Sequence, residues 1–400
     1  MISRRILVVA DDITGAVEVA GIALRYGLRT HLAISMAESL PNADVIVVAT
    51  NTRSESEAEA ARTIRTVCSK CRGNDFLLFK KTDSVLRGHI ALELHEMMLA
   101  LDYRNALLIA QNPSRERIIS GGRYLVEGRP LHLTDFSHDP EYPAWTDDVV
   151  ALLHHKATSL SLGDTLLKEG NIYVADASSW ADICLQLHKA TLETLLAGGA
   201  DAFEALLCTL LGHVERQLPT HNCSISISPF RSMLIFCGST QSKLLHDEPF
   251  VRQMGIPECI VPLKIDDKQS IAEWKAQVST LYQQHHRLIV HVGKRPQGGS
   301  SVAVTLKGIM ADVACRLTDV HRPSLLIVEG GATAYAILQQ LGWTDFSMYI
   351  EYAPGIVSMR HHLTEIILKP GSYPWGSLFS SCIRDKKIVA IRCDSFVDAP

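Results

Sequence analysis

The hydrophobic positions of this chain fall mostly into short uninterrupted runs. A polar turn follows each run, and then a stretch in which apolar residues recur every three or four positions. Ile6-Leu7-Val8-Val9-Ala10 is the first run, and Asp11-Asp12-Ile13-Thr14-Gly15-Ala16 leads into a helical pattern through Val17, Ala20, Ala23 and Leu24. Five apolar residues without alternation suit a strand buried on both faces of a parallel sheet. The unit recurs at 45–49 with a helical pattern over 55–67, at 76–79 with one over 89–100, and at 106–110; a shorter strand is expected at 30–34. Such alternation predicts βαβ crossovers.

Between 121 and 145 the pattern breaks into glycines, prolines and isolated charges, with a hairpin expected from 124–126 and 130–133. A long polar excursion from an α/β domain is usually functional, and it is expected to form a lid or wall. Helix over 147–155, strand over 171–175, helix from 180 to about 196 and helix over 198–212 follow. A polar stretch near 215–232 marks the expected boundary between domains 1–220 and 221–400. Beyond it, strands are expected at 233–237, 258–263, 287–292 and 324–328. Helices are expected at 271–286, 302–317 and 329–341, and the segments 349–358 and 362–369 read as two antiparallel strands. The expected fold is α/β, with two domains that each carry a mostly parallel sheet flanked by helices and an active site in the cleft between them.

Ligands of open α/β sheets bind at the carboxyl ends of the strands. Four such ends in the first half carry polar residues: Asp11/Asp12, Asn51/Arg53, Lys81/Asp83/Ser84 and Asn112/Arg115. One aspartate could simply cap the first helix; two side by side call for a further reason. Arginines and lysine mixed with carboxylates suit a small polyhydroxy acid, the cations meeting its carboxylate. In the second half, Glu329-Gly330-Gly331-Ala332-Thr333-Ala334 joins an apolar run to a helix, and Gly238-Ser239-Thr240 ends an earlier run. Glycines at a helix start let an anion approach the free N–H groups. Neither stretch is a Walker A loop or a full G-x-G-x-x-G. With Gly355 and Lys369-Pro370-Gly371-Ser372, they suggest a nucleotide site.

Composition narrows the alternatives. The 400 residues are 47% hydrophobic and 20% charged, with a net charge of -4. That balance offers no footprint for nucleic acid or anionic membrane, and no apolar run is long enough to span a bilayer. The opening Met1-Ile2-Ser3-Arg4-Arg5 lacks a signal-peptide pattern, so a cytoplasmic protein is expected. Of ten cysteines only Cys68 and Cys71 form a C-x-x-C; it closes a helical pattern with no second ligand pair, so buried free thiols are expected.

The motifs Ala10-Asp11-Asp12-Ile13-Thr14-Gly15-Ala16, Asn51-Thr52-Arg53, Lys81-Thr82-Asp83-Ser84-Val85-Leu86-Arg87-Gly88, Gly330-Gly331-Ala332-Thr333-Ala334, Ala353-Pro354-Gly355 and Lys369-Pro370-Gly371-Ser372 occur in order along nearly the whole chain. Together they resemble the four-carbon acid sugar kinases, a family of threonate, erythronate and 3-oxo-tetronate kinases. The resemblance implies an N-terminal substrate domain and a C-terminal ATP domain. It places the acid at Asp11 or Asp12, Arg53, Arg87 and the turn Lys81, Thr82, Asp83, Ser84. It places ATP at Ser239, Gly330, Gly331, Ala332, Thr333, Gly355 and Gly371. Asp12 or Asp83 would be the base, with Asp12 preferred. Arg53 and Lys81 would grip the substrate carboxylate, and Arg87 would offset phosphate charge. Mg²⁺ is expected with ATP, without a dedicated protein cage, and a homodimer is compatible with the sequence. Two departures bear on the substrate: Ala332 stands where the family has an acid, leaving open whether Glu329 substitutes, and Asn112-Pro113-Ser114-Arg115 replaces a Pro-Ala-Phe-Pro turn. The rival classes are a nicotinamide-dependent dehydrogenase and a ligand sensor that kept the fold but lost activity.

Overall fold

The computed structural model describes residues 4–36, 41–139, 141–165, 169–212, 230–239, 255–293, 300–371, 375 and 379. In the first half, β1 (Arg5–Ala10), β2 (Thr30–Ala33), β3 (Val45–Ala49), β4 (Phe76–Lys81) and β5 (Asn105–Ile109) form where the uninterrupted apolar runs predict them. Helix α1 (Ile13–Arg25) follows β1 directly. Glu57–Cys71 forms a helix behind a capping box, in which Ser56 accepts from the Glu59 N–H and Glu59 reaches back to Ser56. Cys68 and Cys71 end that helix as buried free thiols, and burial pushes them up to about 11 and about 12.

The excursion forms a separate antiparallel sheet of β6 (Arg117–Ser120), β7 (Arg123–Val126) and β8 (Arg129–Pro130). The expected hairpin is present where β7 pairs with β8, and a longer one precedes it, turning at Gly121-Gly122, where two adjacent glycines accept the positive φ of a tight turn. The remaining strands of this half are β9 (Thr158–Leu160), β10 (Ile172–Ala175) and β11 (Thr194–Gly198). The helix expected to reach 196 ends at Leu187, and β11 takes the rest. Its apolar Thr194-Leu195-Leu196-Ala197 run reads as the tail of a helix in sequence. Pairing with β4 on one side and β5 on the other makes it a central strand.

In the second half, β12 (Met233–Cys237), β13 (Glu258–Ile260), β14 (Arg287–His291) and β15 (Leu325–Glu329) are parallel. The C-terminal segment holds three strands rather than two: β16 (Asp345–Ala353), β17 (Ile356–His361) and β18 (Thr364–Lys369). The Pro354-Gly355 turn folds what reads as one long strand into the β16–β17 hairpin.

The two strand series are not separate sheets. They join in the order β13-β14-β12-β15-β18-β17-β16-β2-β3-β1-β4-β11-β5-β10-β9, with β16 antiparallel to β2 at the seam. Alternate residues of β1 show what lies on each face. Ile6, Val8 and Ala10 enter a core that runs on through Phe236, Leu326 and Leu368 of the second half. Leu7 and Val9 enter a core confined to the first half, and Ile235 and Ile327 enter one confined to the second. One face therefore ties the halves together and the other keeps them apart. The expected boundary at 220/221 lies outside the described residues. Among the described residues no helix is long and apolar enough to cross a membrane.

Candidate functional site

Because β3, β1 and β4 are adjacent and parallel, their carboxyl ends bring Asp11, Asp12, Arg53 and Asp83 together. Arg53 lies at the centre of the three carboxylates. Its Nε donates to Asp11 Oδ2 at 2.8 Å, and its Nη2 and Nη1 lie 3.1 Å and 3.6 Å from Asp12 and Asp83 oxygens. Asp11 is buried behind Arg53. Asp12 caps α1: the Gly15 N–H donates to its Oδ1 at 2.9 Å, and the Thr14 hydroxyl donates to Oδ2. Cap and site are thus the same residue. Burial by itself would raise Asp12, but Arg53, Lys81 and the Thr14 and Gly15 hydrogen bonds bring it below the ordinary carboxylate value, so it is ionised at neutral pH.

Asp83 is more heavily engaged. Arg87 Nε and Nη2 donate to its two oxygens at 3.0 Å and 2.8 Å, and the Val85 and Arg87 N–H groups also donate to it. Burial opposes its ionisation, yet Arg87, Arg53 and Lys81 hold it far below the usual range. Lys81 donates to the Thr82 carbonyl at 2.9 Å and lies 3.6 Å from Glu18, which also meets Arg115 at 2.9 Å. Ser84 Oγ accepts from Arg117 at 2.6 Å. Thr82 is buried, and its N–H donates to the Gly198 carbonyl of β11.

Asp12, Arg53, Lys81, Asp83, Ser84 and Arg87, with Glu18, Arg115 and Arg117, line a cavity of about 730 Å³ that also takes in Asn112, Phe136, His138 and Asp139, whereas the buried Asp11 and Thr82 are not part of its lining. The turn-rich stretch is therefore a wall, and it is latched to the site arginines. Asp139 accepts from Arg87 Nη1 at 2.8 Å, and the Tyr142 hydroxyl donates to the Arg53 carbonyl at 2.6 Å. Asp139, Tyr142 and Arg117 were not among the residues the sequence singled out for the site. Asp139 and Tyr142 sit in a stretch whose proline turns draw attention first. Arg117 lies two positions beyond Arg115, on the strand that the turn feeds.

In the second half, Gly330 takes φ +98 between β15 and the helix Gly331–Gln340, a conformation open to glycine. Gly331 packs so closely on α1 that a Cβ there would lie 2.5 Å from Thr14 Cγ2. Gly371 lies less tightly against Ser239, where a Cβ would meet the Ser239 Cβ at 3.1 Å. Gly331, Ala332 and Gly371 line a second cavity of about 290 Å³ together with Asp12, Arg53 and Arg87. Thr333 is buried against Gly238, and Gly355 lines the larger cavity, on the side of the acidic turn. Thr240 and Ser372 lie outside the described residues. Glu329 does not stand in for an acid at Ala332: it is fully buried and bonded to Lys369 Nζ at 2.6 Å. Among the described residues no three His, Cys, Asp or Glu side chains come together as a metal site. A magnesium ion would accordingly depend on nucleotide phosphates for most of its ligands, as that ion commonly does.

Residues 6–204 match the family model of a sugar-binding N-terminal domain, and residues 241–373 match that of a nucleotide-binding C-terminal domain. D-threonate kinase of Salmonella typhimurium is 25% identical over 393 residues, covering 88% of this chain and 90% of the relative. D-erythronate kinase of Heliobacterium modesticaldum is 30% identical over 220 residues, covering 49% of this chain and 50% of the relative. A crystal structure of a Salmonella typhimurium LT2 protein superposes with a TM-score of 0.74 at 18% identity, covering 95% of this chain and 99% of that one. That last likeness is one of fold.

Proposed function

The chain belongs to the four-carbon acid sugar kinase family, and from that premise we propose that it transfers the γ-phosphoryl group of ATP to a hydroxyl of a four-carbon sugar acid such as threonate, erythronate or 3-oxo-tetronate. One observation carries the proposal. Asp12, Thr14, Arg53, Arg87, Asp139 and Pro370 line both cavities, so the strand ends of the first half and the glycine turn of the second open onto common ground. The sugar acid occupies the larger cavity. The nucleotide lies against Gly331, Ala332 and Gly371, with its phosphates toward Arg53 and Arg87.

Phosphoryl transfer asks mainly for alignment and charge neutralisation. Asp12 is the base: ionised, at the junction of the cavities, and fixed by the helix it caps. The acceptor oxygen attacks the γ-phosphorus as its proton passes to an Asp12 oxygen. The bond from phosphorus to the bridging oxygen breaks, and ADP leaves with that electron pair. Its depressed basicity suits a loose transition state in which the proton moves late. Asp83, engaged by four donors, is instead a positioning residue that fixes Arg53 and Arg87. The magnesium ion that accompanies ATP would supply charge neutralisation at the phosphates.

The test is a screen of threonates, erythronates and 3-oxo-tetronates with ATP, following ADP and the phosphorylated acid. At least one acid is expected to be turned over. Asp12→Asn is expected to lower kcat by about 10²–10⁴-fold while ATP still binds. Absence of ADP with every acid overturns the kinase reading, and wild-type turnover by Asp12→Asn removes that residue as base.

A further inference from the structure

Five cations line the larger cavity: Arg53, Lys81, Arg87, Arg115 and Arg117. Four of them already meet carboxylates. Arg53 is shared among Asp11, Asp12 and Asp83; Arg87 bridges Asp83 and Asp139; Lys81 and Arg115 both approach Glu18. Taking a substrate carboxylate at any of these would mean displacing a partner that is itself shielded from water, and an unpaired buried charge is costly. Arg117 differs. Among the described residues it forms no ion pair; its Nη1 donates to the Ser84 hydroxyl at 2.6 Å.

Arg117 is nonetheless held firmly. Its N–H donates to the Asn112 carbonyl at 3.1 Å, where an isolated bridge joins the start of β6 to the turn that follows β5. Its guanidinium lies 5.2 Å from the centre of the Phe136 ring, within cation–π range. A guanidinium carries five donors in a planar fork that fits a carboxylate in bidentate fashion. With one donor on Ser84, the others remain for a ligand. Asp135 also lines the cavity, with no side-chain partner among the described residues, but it is exposed, where water screens its charge.

We propose that Arg117, braced by Ser84 and Phe136, anchors the carboxylate of the acceptor and so makes the site select sugar acids over neutral polyols. This role rests on the sugar-acid kinase function proposed above. Ser84 and Phe136 are positioning residues for it. Arg53 and Lys81 are themselves paired, with the acidic turn and with Glu18.

The experiment measures D-threonate and D-erythronate, with the corresponding neutral tetritols as controls, on wild type, Arg117→Gln and Arg117→Lys. Calorimetric binding and ATP-dependent turnover are both recorded, with melting temperature as a check on folding. Arg117→Gln is expected to weaken acid binding and raise the acid KM by about 10²-fold. The KM for ATP and any tetritol turnover are expected to hold, and Arg117→Lys to recover part of the loss. Unchanged acid binding, or an unchanged preference for acid over tetritol, in Arg117→Gln overturns the anchor. If wild type binds the acids but forms no ADP, the kinase function fails, and the calorimetric comparison still decides on Arg117.

Discussion

The two sides of the shared cavity are built from different materials. On the first-half side, charged side chains from β1, β3 and β4 meet in one network, and Arg53 alone touches three carboxylates. On the second-half side the surface is largely backbone: Gly331, Ala332 and Gly371 offer little side chain, and the buried Glu329–Lys369 pair lies beneath them. Side chains can match the shape and charge of one small acid. Backbone N–H groups at a helix start can hold a phosphate in any nucleotide. The proposed function draws selectivity from the first half and phosphate binding from the second.

The strongest way to break the contrast is Arg53→Met, which leaves three clustered carboxylates without their common cation. Loss of one partner from a buried ion network costs about 3–5 kcal/mol. Denaturant unfolding should register a drop of that order, with turnover falling well beyond the effect of an exposed arginine. A wild-type melting curve would show the network to be dispensable.

Gly331→Ala probes the opposite side. Its methyl would sit 2.5 Å from Thr14 Cγ2, so the glycine turn must shift away from the acidic turn. Misalignment on that scale can cost about 10²-fold in rate. Adding Thr14→Ser removes the clashing methyl while keeping the hydroxyl that donates to Asp12, and it should restore much of kcat. Failure of the double variant to recover would mean the glycine serves something other than this contact.

The effect confined to the narrowest conditions, a pH window, concerns the seam between the halves. The Glu351 side chain on β16 is 3% exposed and bonded to Arg25 of α1 at 2.8 Å, and it also faces Glu204, Glu18 and the Gly355 N–H. Burial pushes its carboxyl up to about 7 from an ordinary 4.5, against the pull of Arg25. Between those values the folded chain keeps a proton that the unfolded chain releases. Stability contributed by this group therefore falls as pH rises from about 4.5 to 7 and is level above. Relative to Glu351→Gln, wild type should lose up to about 3 kcal/mol across that window. Parallel stability curves for the two proteins would contradict it.

Much of this was legible in the chain because buried parallel strands advertise themselves. Five apolar residues followed by polar ones marked β1 and β3 and placed their polar ends on one edge. The β11 strand was hidden, since Thr194-Leu195-Leu196-Ala197 has no periodicity that separates a strand from a helix end. Arg117 was hidden for another reason: only neutralisation of its four neighbours sets it apart, and that depends on distances across the sheet. The β16–β17 hairpin turned on one Pro-Gly pair inside a long apolar stretch.

The sequence by itself determined the α/β alternation, the acidic turn at the end of β1 and the glycine turn at the end of β15, because local periodicity and turn chemistry are properties of neighbouring residues. Tertiary structure decided the rest. It joined two strand series into one sheet through β2 and β16, fitted Gly331 against Thr14, and shared Arg53 among three aspartates. It also set Asp12, a helix cap by local sequence, between the two cavities. Those outcomes depend on close packing and Coulomb interaction between residues tens or hundreds of positions apart, which no local pattern encodes.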